Sequence, residues 1–597
     1  MSASTGTTAT SVAKLHDVDL RKVVQDKLLL QMVKHVTQLT RGWVVMVVDD
    51  EATRSLTQVA RMSELTDCGV SILERMELER QPFPEMNVVY FIAPTAANVR
   101  RLARDFEDPN KPKYNDVYIY FVHHAGEEAL SELKNAPQAL LQRLKALQEV
   151  NVDFLAVEKC AFSFGMPEAF HTLYSPAMKK SESEKLMQTI SSKLVSVCAT
   201  LEEYPYVRYQ AGHTRMETLA QMFQNKMNDY LAQNSTFSYA PKRGTLLFID
   251  RGQDMVTPLM HESTFQAMTY DLLGVKDDQI SYEAETNSGT SLGRGKSTDL
   301  QAMAAGLREL PEYREMLDAS NIEQTLATGV EESGKKLKHS TIGKQLEDLF
   351  KDPKLTEKDR FRVAAVFALT QDTLKEAERN KVMQAAKLSK KHETILENMA
   401  LVAGSVLYKQ NGNSLISSEE LKLATKKAEA VEYSNARYDP KIKSIVASAL
   451  KRTLSESDYP YIITPPPQSP TAGDSKKAGP VSLRKKMAGK GKAQEATPES
   501  EHFFGEKMIV FVSGGATYSE LRSIYEVRSE EKRDVLLGTT SFVAPPTFIE
   551  LLATLQEANP TFSLPISGQG AEVMPLTSGE IHLQVEAQQL GKPASVQ

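Results

Sequence analysis

One segment, residues 246–273, constrains the fold of this chain more than any other. It opens with four consecutive apolar residues, LLFI, which is the pattern of a strand buried on both faces. A polar turn, DRGQD, follows, and its Gly252 is free to adopt a positive φ. From His261 onward, apolar residues recur every three or four positions, which predicts an amphipathic helix. A buried strand, a tight turn and a helix in this order predict an α/β fold.

The turn carries two carboxylates, and two interpretations of them are open. Asp250 and Asp254 could serve as an acid–base or metal-binding pair. Alternatively, the Asp-Arg pair at the strand end is a structural brace whose charges are satisfied by nearby backbone. We favour the brace, because no second acidic or histidine cluster lies nearby in the sequence. A zinc helix of the HExxH type is excluded as well, because its second histidine is replaced by Phe265.

Composition limits the class of protein and its compartment. A chain of 597 residues is too long for one hydrophobic core, so three or four domains are expected. Hydrophobic (41%) and charged (25%) contents are those of a soluble globular protein, and a net charge of −6 gives no general affinity for nucleic acid or anionic membranes. The three cysteines are too widely spaced for a disulfide framework or a metal site. We therefore expect a cytoplasmic protein that a partner recruits to membranes.

The first 150 residues alternate apolar runs with helical patterns. The predicted strands are residues 43–48, 70–73, 88–92 and 117–122. The predicted helices are residues 14–39, 52–62 and 96–105, and residues 127–150 are predicted to be largely helical. This alternation indicates a doubly wound parallel sheet. No GxGxxG motif follows any of these strands, so a dinucleotide site is not indicated.

The rest of the chain contains a second α/β pattern interrupted by helices. Its predicted strands are residues 152–156, 246–249, 508–512 and 535–537. Its predicted helices include residues 183–201, 216–231, 299–330, 361–404 and 419–454. The GTSLGRGKS stretch within residues 287–297 lacks the first glycine and the preceding strand of a phosphate-binding loop, so a mobile loop is expected there.

The signature segment, residues 246–273, resembles that of the Sec/Munc (SM) family, the syntaxin-binding regulators of SNARE-mediated vesicle fusion. In that family an Asp-Arg-Gly-x-Asp turn is followed by Pro, a His-Glu pair and a Phe-Gln-Ala-Met helix, and all are present here. The resemblance also covers VVMVVDDEATRSL, VVYFIAPT, IVFVSGGATYSELRSIYEV and VLLGTTSFVAPPTFIELLATL. It implies a non-enzymatic protein without a cofactor or metal, and it agrees with the brace interpretation.

The resemblance implies a three-domain arch, with two doubly wound parallel-sheet domains, the second discontinuous, and a largely helical third domain. The predicted divisions are a disordered tail (1–13), an N-terminal α/β domain (14–150), a discontinuous α/β domain (151–260 and 503–560), a mainly helical domain (261–464), a flexible basic linker (465–502) and a weakly ordered tail (561–597). A solvated loop is the favoured interpretation of the linker, and contact with anionic lipid is the alternative.

The resemblance also implies three sets of partner-binding residues. The wall of a cleft for a closed syntaxin bundle would contain Trp43, Asp49, Arg54, Arg61, Glu74 and Arg80. A pocket for the syntaxin N-terminal peptide would contain Leu130, Glu149 and Val150. A hairpin facing the other SNARE helices would contain Leu307, Leu310, Tyr313 and Leu317. Spacing adds one argument: Arg54 and Arg61 are seven apart, so they would share one helix face as a basic stripe suited to an acidic partner.

These features predict a SNARE regulator of the exocytic branch. It would be a monomer that forms a one-to-one complex with syntaxin, that is recruited by it to the plasma membrane, and that controls assembly of the SNARE bundle in vesicle docking and exocytosis. One alternative is an SM protein of another trafficking step that binds mainly the syntaxin N-terminal peptide. A less favoured alternative is an α/β enzyme that uses Asp250 and Asp254, but no GxSxG nucleophile motif supports it.

Overall fold

The structure is a computed structural model. It describes residues 18–235, 237–239, 242–262, 264–272, 280–285, 292–297, 312–331, 333–337, 339–353, 355–370, 376–403, 437–465 and 507–557. Among these residues, no helix is both long enough and apolar enough to cross a bilayer.

The first sheet has five parallel strands in the order β2-β1-β3-β4-β5. The strands are β1 (Val44–Val48), β2 (Val70–Arg75), β3 (Asn87–Ile92), β4 (Val117–Phe121) and β5 (Leu144–Glu149). All five residues of β1 are buried, because Val44 and Met46 pack into the core on one face and Val45 and Val47 into the core on the other. The predicted doubly wound parallel sheet is confirmed.

Helices cover both faces of this sheet. They are α1 (Leu20–Asp26) and α2 (His35–Thr40), joined by a π-helical stretch (Lys27–Lys34), then α3 (Asp50–Val59), α4 (Met62–Asp67), α5 (Ala96–Arg104), α6 (Glu127–Lys134) and α7 (Gln138–Arg143). The apolar faces of α1 and the π-helical stretch contribute Leu20, Leu28 and Val33 to the core that contains Val44 and Met46, which we call the first core. The apolar faces of α5 and α6 contribute Val99 and Leu133 to the core on the other face of the sheet, which we call the second core.

Two predictions for this region are wrong. The predicted helical stretch 127–150 ends at residue 143, and residues 144–149 form β5, which pairs with β4 at the edge of the sheet. The predicted helix 52–62 ends at Val59, because Ala60 is extended (φ −134°) and α4 starts afresh at Met62. Glu64 helps to start α4, since its carboxylate accepts a hydrogen bond from the Arg61 amide (2.8 Å).

The remaining strands form a six-stranded sheet and a separate hairpin. They are β6 (Leu155–Glu158), β7 (Ala161–Ser163), β8 (Tyr206–Tyr209), β9 (Thr245–Asp250), β10 (Ile280–Glu285), β11 (Leu292–Ser297), β12 (Lys507–Ser513) and β13 (Asp534–Thr539). The order of the second sheet is β6-β7-β13-β12-β9-β8, parallel except for the β6–β7 pair. Two strands from the end of the chain thus lie in its centre, so this sheet is discontinuous as predicted. The strand predicted at 152–156 begins three residues later, at Leu155.

The other helices are short to medium in length. They are α8 (Glu168–Tyr174), α9 (Lys180–Leu201), α10 (Thr214–Gln233), α11 (Phe265–Leu272), α12 (Glu312–Thr328), α13 (His339–Leu349), α14 (Glu357–Thr370), α15 (Glu376–Ala385), α16 (Lys390–Ala403), α17 (Lys441–Leu450), α18 (Tyr518–Glu531) and α19 (Pro545–Ala553). The described residues between β9 and β12 are therefore mainly helical. Residues 299–311, 404–436 and 466–506 lie outside the described ranges.

The prediction of a mobile loop at residues 287–297 is wrong for the second half of that range. Residues 292–297 form β11, which pairs antiparallel with β10, so that Lys296 lies opposite Ser281 and Gly295 opposite Tyr282. A phosphate-binding loop has its Gly-Lys-Ser between a strand and a helix. Here the same three residues lie within a strand, so they do not form such a loop.

Candidate functional site

The signature turn, residues 250–254, is closed by its own carboxylates. Asp250 ends β9, and its Oδ1 accepts a hydrogen bond from the Gly252 amide (2.9 Å). Asp254 Oδ1 accepts from the Thr257 amide (2.9 Å), and its Oδ2 accepts from the Thr257 hydroxyl (2.5 Å). Burial alone would raise the pKa of Asp254, but the positive charge of Arg251 and these hydrogen bonds lower it. The two carboxylates are thus used to hold the turn.

Arg251 connects the turn to the last part of the chain. Its guanidinium is 1% exposed and donates to both carboxylate oxygens of Glu520 in α18, at 2.8 and 2.9 Å. It also donates to the Asp254 carbonyl (2.6 Å) and the Gly515 carbonyl (3.1 Å). The brace interpretation fits this geometry, but its main partner is a carboxylate 269 residues away and not nearby backbone.

Gly252 is required for a reason other than the predicted one. It does not adopt a positive φ. A Cβ at this position would instead lie 2.5 Å from the carbonyl oxygen of Val402 and 3.1 Å from the Cα of Ala403. The expectation of a positive φ is therefore wrong, and the glycine permits close packing of the turn against α16.

His261 joins the signature segment to two helices. The predicted helix from His261 begins only at Phe265, and the backbone amide of His261 donates to Glu323 of α12 (2.7 Å). Its ring lies 2.9 Å from Glu323 through Nδ1 and 3.2 Å from Asp359 of α14 through Nε2. Burial and Arg362 lower the pKa of His261, but the two carboxylates outweigh them and raise it to about 9. The imidazolium thus carries a positive charge between two acidic side chains.

Four of the predicted cleft residues present at least part of their side chains to solvent. Trp43 is 55% exposed, and Arg54 and Arg61 are also exposed. Glu74 is half-buried in β2 and accepts a hydrogen bond from the Tyr114 hydroxyl (2.8 Å). The predicted basic stripe is wrong, because Arg54 lies in α3 whereas Arg61 lies between α3 and α4, so the two do not share one helix face.

Asp49 and Arg80 have internal partners instead. Asp49 follows β1, caps α3 through the Ala52 amide (2.9 Å) and accepts from Asn98 (2.7 Å), and burial raises its pKa. Arg80 is 8% exposed and pairs with Asp105 at 2.6 Å. Contact with a partner through these two side chains is therefore not supported; they hold the first sheet and its connections in place.

The predicted cleft residues are also widely spaced. Trp43 precedes the first residue of β1 and Asp49 follows its last, so these two residues lie at opposite ends of the strand. Six residues of extended chain separate them by about 20 Å.

The predicted N-terminal-peptide pocket has one accessible apolar side chain. Leu130 in α6 is half-buried against the second core of the first sheet. Val150 is 8% exposed and belongs to the first core. Glu149 accepts from the Ala125 amide (2.9 Å) and pairs with His124 (3.1 Å), which raises the pKa of His124. The pocket assignment stays a prediction.

The predicted hairpin residues fall mostly outside the described part of the chain. Leu307 and Leu310 precede α12 in a range that is not described. Tyr313 and Leu317 lie in the first turns of α12, but the structure does not describe their side chains. This set also stays a prediction.

One group of side chains has the composition of a metal site. Glu51, His123 and Asp153 place one ligand atom each within 4.8 Å of one another. The ammonium of Lys193, from α9, lies 3.3 Å from Glu51 and 3.4 Å from Asp153, and it donates to the Asp153 carbonyl (2.8 Å). Since the ammonium of Lys193 already pairs with both carboxylates, we interpret this group as an ion-pair network that connects the two α/β sheets.

Two exposed apolar side chains, close in sequence to the predicted cleft residues, were not predicted from the sequence. Leu39, four residues before Trp43, is 63% exposed, and Met62, directly after Arg61, is 46% exposed. Both lie at helix ends, where an apolar pattern cannot distinguish a core residue from a surface one. Aromatic residues and methionine are enriched in the cores of protein–protein interfaces.

Comparison with known proteins identifies the family. The Sec1 family model matches residues 44–304 and 296–551. The chain belongs to the Sec1 family. This confirms the resemblance seen in the signature segment and in the N- and C-terminal blocks. Sec1 family members are not known as enzymes.

Relatives of the Sec1 family match along almost the whole chain. "Protein transport protein sec1" of Dictyostelium discoideum is 27% identical, over 90% of this chain and 99% of its own. "SNARE-interacting protein KEULE" of Arabidopsis thaliana is 24% identical, over 92% and 97%. Among solved structures, the Unc18–syntaxin 1 complex of Monosiga brevicollis has a TM-score of 0.70 at 21% identity and covers 90% of this chain and 100% of that one. The fold class predicted from the sequence is thereby confirmed.

Proposed function

We propose that this protein binds a syntaxin-type SNARE and controls SNARE complex assembly in vesicle docking and exocytosis. The match of the Sec1 family to residues 44–551 carries the proposal. The printed names of the relatives support it, since one is a transport protein, one interacts with SNAREs, and the similar structure contains syntaxin 1. The protein forms a one-to-one complex with its syntaxin and is recruited through it to the plasma membrane.

The closed syntaxin bundle contacts the exposed side chains of Trp43, Arg54 and Arg61 in the first α/β domain. Exposed tryptophan and arginine side chains are the most frequent hot spots of protein interfaces, because both combine a large apolar surface with hydrogen-bond donors. The two guanidinium groups favour an acidic partner surface. Glu74 contributes at the rim, while Asp49 and Arg80 act indirectly by fixing the backbone of this wall.

The role is binding and not catalysis. Asp250 and Asp254, the two carboxylates that an enzyme mechanism would use, are 1% and 3% exposed and hold the signature turn. A general acid or base must reach its substrate proton within hydrogen-bond distance. Side chains buried to this extent do not present their oxygens to a substrate.

Substitution of the exposed arginines tests the cleft assignment. We predict that Arg54→Glu with Arg61→Glu weakens binding of the syntaxin cytoplasmic region by about 2 kcal/mol or more, because attractive contacts become repulsive. Isothermal titration calorimetry measures the change. Arg101→Glu with Arg104→Glu, exposed on α5, is the matched control with the same change in net charge and unchanged affinity. Equal affinities for the two double variants would remove Arg54 and Arg61 from the interface.

The same titration, repeated with syntaxin lacking its N-terminal peptide, separates the two binding modes. Tight binding without the peptide places the main contact in the cleft and supports the exocytic role. Binding that disappears with the peptide moves the main contact to Leu130 and its surroundings, and it favours an SM protein of another trafficking step.

A further inference from the structure

Four aromatic side chains form a chain of ring contacts at the surface beside β8. Tyr204, two residues before that strand, contacts Tyr239, which contacts Phe237, which in turn contacts Tyr230 of α10; the ring centroids are 5.4, 6.1 and 5.5 Å apart. Tyr239 is 40% exposed, and the other three are half-buried. We call these four residues the aromatic ladder. Contiguous, partly exposed apolar surface marks interaction sites, whereas scattered apolar side chains do not.

Arg243 fixes one end of the aromatic ladder. Its guanidinium lies 3.7 Å from the ring centroid of Tyr204 and 4.0 Å from that of Tyr206. It also donates to the carbonyls of Tyr204 (2.8 Å) and Pro205 (3.0 Å). The Tyr204 hydroxyl donates to Asn228 of α10 (2.9 Å). Because ring and backbone are both held, a ligand that binds here does not have to order this end of the ladder first.

The segment that follows α17 runs along β8 towards this end of the aromatic ladder. Tyr461 pairs antiparallel with Arg208 of the strand, and the amide of the next residue donates to the Val207 carbonyl (2.9 Å). Residues that follow Tyr461 therefore move towards residues that precede Arg208. Pro465 and Tyr204 each lie four residues from this pair, and Pro465 is half-buried. The chain is thus directed from β8 to the first ring of the ladder.

Pro465 begins a proline-rich stretch, PPPQSP, at residues 465–470. Three consecutive prolines and a PxxP spacing favour the polyproline II conformation, which needs no hydrogen bonds within the segment. Six residues in this conformation are about 16–19 Å long. That length is comparable with three successive ring separations of the aromatic ladder. Segments of this kind bind to surfaces lined by aromatic side chains, so the adjoining sequence is a ligand of suitable chemistry and length.

We propose that residues 465–470 dock on the aromatic ladder of the same molecule. The contact covers the exposed ring of Tyr239 and attaches the start of the linker to the second α/β domain. Since only a few residues separate the prolines from the segment bonded to β8, their effective concentration at the ladder is about millimolar. Even a weak contact is therefore occupied, and a partner that recognises proline-rich segments has to displace residues 465–470 from the ladder.

A fluorescent peptide with the sequence of residues 463–472, ITPPPQSPTA, tests the proposal on the full chain. In the triple variant Pro466→Ala, Pro467→Ala and Pro470→Ala, the internal segment no longer competes for the ladder. We expect this variant to bind the peptide at least fivefold more tightly than the unmodified protein does, as measured by fluorescence anisotropy. Adding Tyr239→Ala to the variant is expected to lower the affinity at least fivefold, and the exposure of Tyr239 means that the fold is retained.

Tyr525→Ala in the same triple variant is the matched control. Tyr525 is 37% exposed, but its hydroxyl donates to Glu158 of β6, at the edge of the second sheet opposite β8. Peptide affinity in this control is expected to equal that of the triple variant.

Three results would overturn the proposal. Equal peptide affinities of the unmodified protein and the triple variant would mean that the internal segment does not occupy the ladder. No peptide binding by the triple variant, or binding that Tyr239→Ala leaves unchanged, would mean that the ladder does not bind this sequence. Tighter binding of an unrelated PxxP peptide to the unmodified protein than of the native sequence would assign the ladder to a partner protein instead.

Discussion

At the scale of single residues, the most informative side chain is Arg251. Its charge is fully buried and is compensated by Glu520 through two hydrogen bonds. Removal of one partner of a buried ion pair leaves the other charge uncompensated, at a cost of about 3–5 kcal/mol. Exposed ion pairs contribute less than about 1 kcal/mol.

We therefore predict that Arg251→Met lowers the free energy of unfolding by about 3–5 kcal/mol. Arg75→Met is the control, because Arg75 pairs with Asp50 at the surface, and its loss is expected to be below about 1 kcal/mol. Urea denaturation followed by circular dichroism measures both. Similar losses in the two variants would contradict the assignment of Arg251 as the brace of the turn.

The sequence predicts which residues of the turn matter better than it predicts their roles. The DRGQD motif identifies Asp250, Arg251 and Asp254, but nothing near it in sequence indicates Glu520. Similarly, the family motif places Arg80 in the wall of the binding cleft, whereas in the structure Arg80 is buried and forms an ion pair with Asp105. Burial and distant partners depend on the tertiary structure, which the local pattern does not contain.

At the scale of elements, His261 connects the signature segment with α12 and α14. Its pKa is about 9 in the folded protein, above the ordinary value of about 6.5 expected in the unfolded chain. A raised pKa contributes stability that is fully present below pH 6.5 and is lost as pH rises towards 9. Lowering the pH below 6.5 adds nothing further from this group.

We predict that the unfolding temperature falls between pH 6.5 and 9 in the unmodified protein, and that His261→Gln removes most of this dependence. His35→Gln is the control, because His35 is exposed and the slope is expected to remain. Differential scanning calorimetry at several pH values gives the comparison. An unchanged slope in His261→Gln would show that the charged imidazolium does not link these helices.

Helices with a long, uninterrupted apolar periodicity were predicted well. Strands that form because a neighbouring strand pairs with them were not. α9 and α10 agree with prediction to within a few residues. β5 was predicted as helix because LKALQE consists of good helix formers, but the edge of the first sheet offers β4 as a pairing partner. The β11 strand was missed for a related reason, since its Gly-rich sequence forms a strand only opposite β10.

At the scale of the whole molecule, the second sheet depends on the end of the chain. β12 lies between β13 and β9 and pairs with both over six residues, and almost all of its side chains are buried. Without β12 and β13, the sheet would separate into two halves with exposed edges, and such edges promote aggregation. Arg251 would also lose Glu520.

This dependence predicts the behaviour of a split protein. Residues 1–465 expressed alone are expected to be insoluble, because they lack the two central strands. Co-expression with residues 507–597 as a separate chain is expected to restore a soluble complex, since the strands pair through backbone hydrogen bonds that need no covalent link between the fragments. Affinity purification of a tag on the short fragment measures the recovery of the long one.

The same experiment with Glu520→Ala in the short fragment is expected to recover less of the long fragment, because Arg251 is then buried without its partner. A soluble, monomeric 1–465 fragment with an intact thermal transition would contradict this account, since it would mean that the first four strands of the sheet close without β12 and β13.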